Sequence, residues 1–253
     1  MSFVVHIHTE YDHTLGLRVP KTENAYKAMR GFQELGCHIK FFDTQEELDL
    51  QLSRGDVVVG YISNAIYAFD RLEVERPATI DYPHELQPFY GRRIWRGRLS
   101  EVADHPETWP IFVKSQAQKG FTGKVIRTVK DLQGTAYQNH DRDVIMSEVV
   151  EFVSEWRGFV RHGTIYDLRS YSGRWDVFPD FKVVQNALEA WKTRPAGCSI
   201  DFGVTSDGRT LVIECNDGFA LGSYGLNHLK YAKLISARWH EIVGQMDPFL
   251  FLK

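Results

Sequence analysis

Residues 198–216 constrain this chain more than any other stretch, because they are legible as one β-hairpin with a polar and an apolar side. Asp207-Gly208 is a two-residue turn signal, since both positions accept the positive φ that tight hairpins need. With that turn Ser206 pairs with Arg209, and the register sets Asp201 directly opposite Glu214. Strand side chains alternate, so Asn216 shares the face of Glu214. The other face carries Ile200, Phe202, Val204, Leu211, Ile213 and Cys215 and reads as the core side. Two carboxylates opposed on a sheet repel each other unless a positive charge lies between them. Magnesium, a hard cation that takes oxygen ligands, is the natural partner; a hairpin with a solvated polar face is the plainer alternative.

The rest of the chain divides into two patterns. Residues 3–8, 37–42 and 56–62 are apolar strands. Between the first two, Ala25, Ala28, Met29, Phe32 and Leu35 recur at helical spacing over residues 22–35, and Gly36 stops the helix. Thr44 with Glu47 forms a capping box for a second helix, expected to run to about residue 53. This order predicts a small Rossmann-like domain with parallel strands over residues 1–85. A stretch rich in Pro and Arg follows at 77–98, where Asp81-Tyr82-Pro83-His84-Glu85-Leu86 reads as a connection.

Beyond it, strands at 111–115 and 124–129 flank a glycine loop, and 144–150 is another strand. A hairpin over 156–171 turns near Gly163. Val183, Val184, Ala187, Leu188 and Trp191 mark a helix, and a last amphipathic helix covers 226–243. Hairpins mixed with helices predict α+β organisation for residues 86–253, with subdomains of about 105–147 and 148–253. Trp156, Trp175, Trp191 and Trp239 read as core or cleft walls.

Composition excludes several classes of function. The 253 residues carry a net charge of −3, so no global basic field invites nucleic acid, although Arg92, Arg93, Arg96 and Arg98 cluster. No apolar run approaches the ~20 residues that span a bilayer, and no membrane partner is expected. The first residues lack the features of a secretory signal. Cys37, Cys198 and Cys215 are an odd number without close pairs, which suits a reducing cytoplasm. A homo-oligomer stays open.

Two further segments carry chemistry. Lys114 ends an apolar strand, and Lys119-Gly120-Phe121-Thr122-Gly123-Lys124 follows. A lysine beside a flexible glycine loop can bind phosphate, with loop N–H groups assisting; solvated lysines on a surface hairpin are the plain alternative. It is not a P-loop, because the glycine spacing differs and Val125 follows Lys124. Next, the strand ending in Glu148-Val149-Val150 can offer backbone groups to an adenine edge, with Glu155 near enough in sequence to meet ribose hydroxyls. Arg157 can hold phosphate or acyl phosphate oxygens in its planar fork.

Taken in order, these elements resemble the ATP-grasp superfamily over roughly residues 80–225. Glu148-Val149-Val150 with Glu155 is similar to its adenine hinge and ribose-binding glutamate, and Asp201 with Glu214-Cys215-Asn216 to its magnesium ligands. Phe112-Val113-Lys114 with Lys119-Gly120-Phe121-Thr122-Gly123 resembles the clade named for two arginines and a lysine, to which Arg92, Arg93 or Arg96 would contribute. The resemblance implies an ATP-grasp fold of two α+β subdomains behind the Rossmann-like domain. It implies ATP and Mg²⁺ as cofactors and ligation of a carboxylate to an amine, on small molecules or peptides, through an acyl phosphate. Lys114, Lys119, Gly120, Thr122 and Gly123 would grip phosphates, while Arg157 and Lys119 meet the reacting groups and Arg169 the substrate carboxylate.

Three rivals compete. His6 and His8 resemble the opening strand of polymerase-and-histidinol-phosphatase-type metal hydrolases, where histidines at strand spacing bind metal. Such a site needs further ligands on later strands of a barrel, and His38, His84, His105, His140, His162, His228 and His240 show no such pattern. The second is a non-catalytic nucleotide-binding module of the same fold. The third is an enzyme that phosphorylates without ligation.

Overall fold

The computed structural model describes residues 3–117, 120–135 and 141–252. The N-terminal part is built around β1 (Val4–Asp12), whose first half is almost wholly buried. A short strand, β2 (Leu17–Pro20), returns antiparallel along its second half, an extension the shorter expected strand left out. Helix α1 (Glu23–Glu34) starts where Thr22 accepts a hydrogen bond from the Ala25 N–H, and it buries Ala25, Ala28, Gly31 and Phe32. Strands β3 (His38–Phe42) and β4 (Val57–Val59) both pair parallel with β1, which is the Rossmann-like arrangement expected. Between them lies α2 (Gln45–Asp49), capped by Thr44 as foreseen but shorter than expected. Helix α3 (Ile62–Arg71) begins where the sequence reading still placed a strand. Its apolar stripe of Ala65, Ala68 and Phe69 is buried.

A second sheet follows. It contains β5 (Ile94–Arg98), β6 (Ile111–Ser115), β7 (Lys124–Ile126) and β8 (Asp143–Ser147), in the order β5-β8-β6-β7 and antiparallel throughout. A short helix, α4 (Leu99–Asp104), packs Leu99 and Val102 into this sheet's core with Ile111, Val113, Ile126, Val144 and Met146. Both β7 and β8 stop three residues short of their expected ends. Residues 148–151 thus form an irregular connector to the third sheet.

That sheet has the order β10-β9-β11-β12, from β9 (Phe152–Arg161), β10 (Thr164–Gly173), β11 (Gly197–Thr205) and β12 (Thr210–Asp217). The β9–β10 hairpin turns at His162 and Gly163, with φ of 46° and 75°, as a primed two-residue turn requires. One face carries Val160, Cys198, Ile200, Phe202, Val212 and Cys215, covered by α5 (Phe181–Ala190) and a 3₁₀ turn, His84–Phe89. The last helix, α6 (His228–Ile242), joins the third sheet to the N-terminal part in one core with Phe32, Phe69 and Trp239. It approaches α1 so closely that a Cβ on Gly31 would lie 2.1 Å from the His228 carbonyl oxygen. Trp156, Trp191 and Trp239 are buried as read, but Trp175 is 77% exposed.

The β11–β12 register is reached by a different route from the one expected. The turn has three residues, since Thr205 N–H bonds the Arg209 carbonyl and Val204 pairs with Thr210. Alone, this would shift every later pair by one. A register shift between Asp201 and Phe202 then inserts Ile213 as an extra residue, because Phe202 faces Val212 while Asp201 faces Glu214. Ile213 consequently leaves the core face it was assigned and lines a pocket instead.

Candidate active site

A row of four charged residues crosses the third sheet in register: Arg169 on β10, Arg157 on β9, Asp201 on β11 and Glu214 on β12. Arg157 meets Asp201 in a two-pronged pair, Nε to Oδ1 at 2.8 Å and Nη2 to Oδ2 at 2.6 Å, with both side chains buried. Burial pushes the Asp201 carboxyl up to about 6, with Arg157 holding it back and Glu214 and Glu155 adding to the rise. Glu214 has a cation from another sheet. Lys114, on β6, places Nζ 2.8 Å from Glu214 Oε2 and 2.6 Å from Asp81 Oδ1. Burial opposes the Lys114 charge, but Glu214, Tyr82 and Asp81 more than offset it and hold the ammonium protonated. Burial likewise opposes the Glu214 charge, yet Lys114 and Asn216 keep its carboxyl below the ordinary value. Asn216 Nδ2 donates to Glu214 Oε1 at 3.2 Å.

Asp201 and Glu214 are thus opposed as the hairpin argument required, with the Asn216 amide bonded to Glu214, and Asp201 is buried. The opposed carboxylates are compensated by Arg157 and Lys114, one from a neighbouring strand and one from a neighbouring sheet. Among the described residues, no three His, Cys, Asp or Glu side chains gather as around a preformed metal centre. Two adjacent carboxylates with an amide oxygen beside them are nevertheless an oxygen-donor set that fits magnesium.

Lys114 stands between two pockets. One, of about 610 Å³, is lined by Phe112, Thr122, Gly123, Glu148, Val149, Val150, Glu155 and Glu214, which gathers most of the expected nucleotide residues. Here a Cβ on Gly123 would lie 2.6 Å from the Phe112 ring, so close packing with Phe112 needs glycine at that position. The second, of about 300 Å³, is lined by Asp81, Ser115, Arg157, Asn216 and the loop from Asp217 to Gly222. Arg157 sits 4.5 Å from the Tyr224 ring centre, a cation–π contact on its far side.

Other expectations fared differently. Lys119 lies outside the described residues. Gly120 packs against Ser115 at the start of the loop and lines neither pocket. Arg169 keeps its place in the row, but its Nη2 bonds Asp167 at 2.8 Å and it lines neither pocket. Glu148 bends back, its Oε2 accepting the Arg93 N–H at 2.9 Å. His6 is fully buried against Asp56 at 3.0 Å and His8 stacks on Phe42, so the two histidines serve the N-terminal core.

Three residues escape the sequence reading, and a fourth, Arg92, enters it only as one of a cluster. Asp81 and Tyr82 were taken as connector, yet both border the Lys114 ammonium. Tyr171 lines the larger pocket beside Glu155, and burial, with Asp201 and Glu155 adding to it, holds its hydroxyl protonated. Arg92 donates to the carbonyls of Val212 and Ile213 at 2.9 and 2.8 Å, clamping the inserted residue. The arginine cluster was visible, but no periodic pattern marks which arginine reaches across 120 residues.

Comparison with known families decides the kinship. The sequence model of an ATP-grasp domain, family 2 of the clade named for two arginines and a lysine, matches residues 89–234, more than half of the chain. The chain belongs to this ATP-grasp family. Solved structures share the ATP-grasp fold at low identity. A RimK domain ATP-grasp protein from Sphaerobacter thermophilus superposes with a TM-score of 0.61 at 14% identity, covering 92% of this chain and 98% of that one. An L-amino acid ligase from Bacillus licheniformis gives 0.59 at 11%, covering 100% and 78%. The ATP-grasp ligase PsnB, complexed with a minimal precursor, gives 0.55 at 14%, covering 97% and 100%. No curated protein sequence matches. Among the described residues, no helix of this ATP-grasp protein is long and apolar enough to cross a membrane.

Proposed function

We propose that this ATP-grasp protein is an ATP- and magnesium-dependent ligase that joins a carboxylate to an amine through an acyl phosphate. One observation carries the reading: the opposed carboxylates of Asp201 and Glu214 are compensated by Arg157 and Lys114, cations from two different sheets that line the pockets, while Asp201 itself is buried and lines neither. In this reading residues 1–85 form the pre-ATP-grasp domain and 86–253 the ATP-grasp domain, with ATP between the second and third sheets.

The adenine lies against the connector at Glu148, Val149 and Val150, where the last two residues stand outside the strand ladder, and Glu155 meets the ribose. Lys114, with the Thr122–Gly123 backbone, and Lys119 by family resemblance, hold the phosphates. Asp201, Glu214 and Asn216 would hold magnesium, which when bound neutralises phosphate charge and orients the phosphoryl group. The substrate carboxylate, in the smaller pocket, attacks the γ-phosphorus as ADP leaves, and the amine then displaces phosphate from the acyl carbon. Arg157, at the border of that pocket, stabilises the oxyanion of the tetrahedral intermediate. Arg169, held by Asp167, adds positive charge to the row rather than a substrate contact. The rest is positioning, so no side-chain nucleophile is needed.

The L-amino acid ligase and the precursor-bound ligase PsnB among the structural relatives support amino acids or peptides as substrates. The test is ADP and phosphate release across pairs of amino acids and short peptides in the presence of Mg²⁺, with products read by mass spectrometry. A condensed product is expected. ADP with a phosphorylated product instead would mean a kinase, and no turnover with intact nucleotide binding would mean a binding module.

A further inference from the structure

Among the described residues, Asp81 is the one carboxylate in the smaller pocket whose ion pairing depends on Lys114 alone. The other charged side chains described in that pocket are Lys114 itself, Arg157 and Asp217. Arg157 is fixed to Asp201, and Asp217 is fixed to Arg238 by two hydrogen bonds of 2.8 and 2.6 Å. Lys114 belongs to both pockets, Asp81 only to the smaller and Glu214 only to the larger. The ammonium is thus a partition, bonded to one carboxylate on each side.

The backbone at Asp81 is built for this position. Its φ is 37°, in the left-handed region that few residues other than Gly, Asn and Asp tolerate. Its carbonyl accepts the Cys215 N–H at 2.8 Å, a single bridge that docks the connector beside Glu214 and Asn216. This tether fixes Asp81 at the metal-side edge of the pocket while leaving its carboxylate turned inward toward Lys114.

We propose that Asp81 is the docking group for the amine substrate in its protonated, ammonium form. The inference rests on the ligase reading above. When Lys114 turns to nucleotide phosphate, Asp81 loses its partner, and a half-buried carboxylate without a cation is costly. An ammonium entering the smaller pocket restores the charge balance; before attacking the acyl carbon it gives up one proton to solvent, and a second leaves with the displaced phosphate. The site therefore selects a cationic amine after nucleotide has bound, and it disfavours a second free carboxylate at that edge.

The experiment compares wild type with Asp81→Asn, a change that keeps the side-chain shape and suits the left-handed φ. The acceptors are an amino acid taken up by wild type and hydroxylamine, which is largely uncharged at neutral pH and traps acyl phosphates as hydroxamates. The preference for the ammonium acceptor, as a ratio of kcat/KM values, should fall on the order of tenfold in the variant, through KM for the amine. An unchanged ratio would overturn the proposal. So would a loss of affinity for a non-hydrolysable ATP analogue that accounts for the lost turnover, which would assign Asp81 to ordering Lys114. If wild type itself forms no amine-dependent ADP and no hydroxamate, the ligase reading falls, and this inference with it.

Discussion

Lys114 Nζ lies 2.8 Å from Glu214 Oε2, although the two residues are 100 positions apart and belong to different sheets. The ion pair closes the seam where the proposed nucleotide and substrate pockets meet. Replacing Lys114 with Met keeps most of the side-chain length but removes the charge, and leaves Asp81 and Glu214 facing each other without a cation. Affinity for a non-hydrolysable ATP analogue should fall by about 1.5–3 kcal/mol, the range for hydrogen bonds to charged groups. Calorimetry measures it directly. Unchanged affinity would reduce Lys114 to a structural tie.

Glu214→Gln and Asp201→Asn should each lower kcat at least about a hundredfold, as removal of an electrostatic contact in the transition state does. The two differ in stability. Glu214→Gln leaves Lys114 paired with Asp81 and should barely move the unfolding midpoint. Asp201→Asn puts a neutral side chain where burial already favours the protonated acid, and should raise the midpoint at neutral pH rather than lower it. Normal turnover by either variant contradicts the metal assignment, and circular dichroism separates lost chemistry from lost folding.

Much of this site was legible because a hairpin register is arithmetic. Opposing Asp201 to Glu214 followed from the turn position alone, and the structure has that pair. It arrives there by two departures that cancel, a three-residue turn and the inserted Ile213, and neither leaves a mark in the alternation of side chains. Reading alternation literally misplaced Ile213, assigned to the core and found in a pocket. Helix α1 was legible because Ala25, Ala28 and Phe32 repeat on one stripe, whereas α3 follows β4 so closely that one apolar run covers both. Asp81 stayed hidden for a different reason. Its role depends on a single backbone bridge to Cys215, a long-range contact that no local pattern encodes.

Acid should inactivate the enzyme before it unfolds it. Burial lifts the Asp201 carboxyl to about 6, so below that pH the group is neutral and a poor ligand for a cation. The kcat/KM for ATP, which reports free-enzyme ionisations, should decline as pH falls through about 6. Stability moves the other way for this group. Its folded value lies above the ordinary 3.8, so the folded state binds the extra proton between the two values. Raising pH from about 4 to beyond 6 therefore removes stability that protonated Asp201 supplied. Parallel profiles of kcat/KM and unfolding midpoint check the pair, and an acidic limb no higher than an ordinary carboxylate would refute the Asp201 assignment.

Arg92 gives the remaining prediction, because it holds the residue insertion that brings Glu214 opposite Asp201. Its Nη1 bonds the carbonyls of Tyr90 and Val212, and its Nη2 bonds that of Ile213. A side chain with one ammonium cannot span three carbonyls in a fixed plane, so Arg92→Lys should be only a partial substitute. Arg92→Met should lose about 2 kcal/mol of stability, since buried carbonyls lose a charged donor. Without the clamp, β12 can relax to continuous pairing, which slides Glu214 out of line with Asp201 and flips its face. The Mg²⁺ concentration for half-maximal turnover should then rise in Arg92→Met, and to a smaller extent in Arg92→Lys. A loss of stability with no change in the magnesium requirement would confine Arg92 to folding.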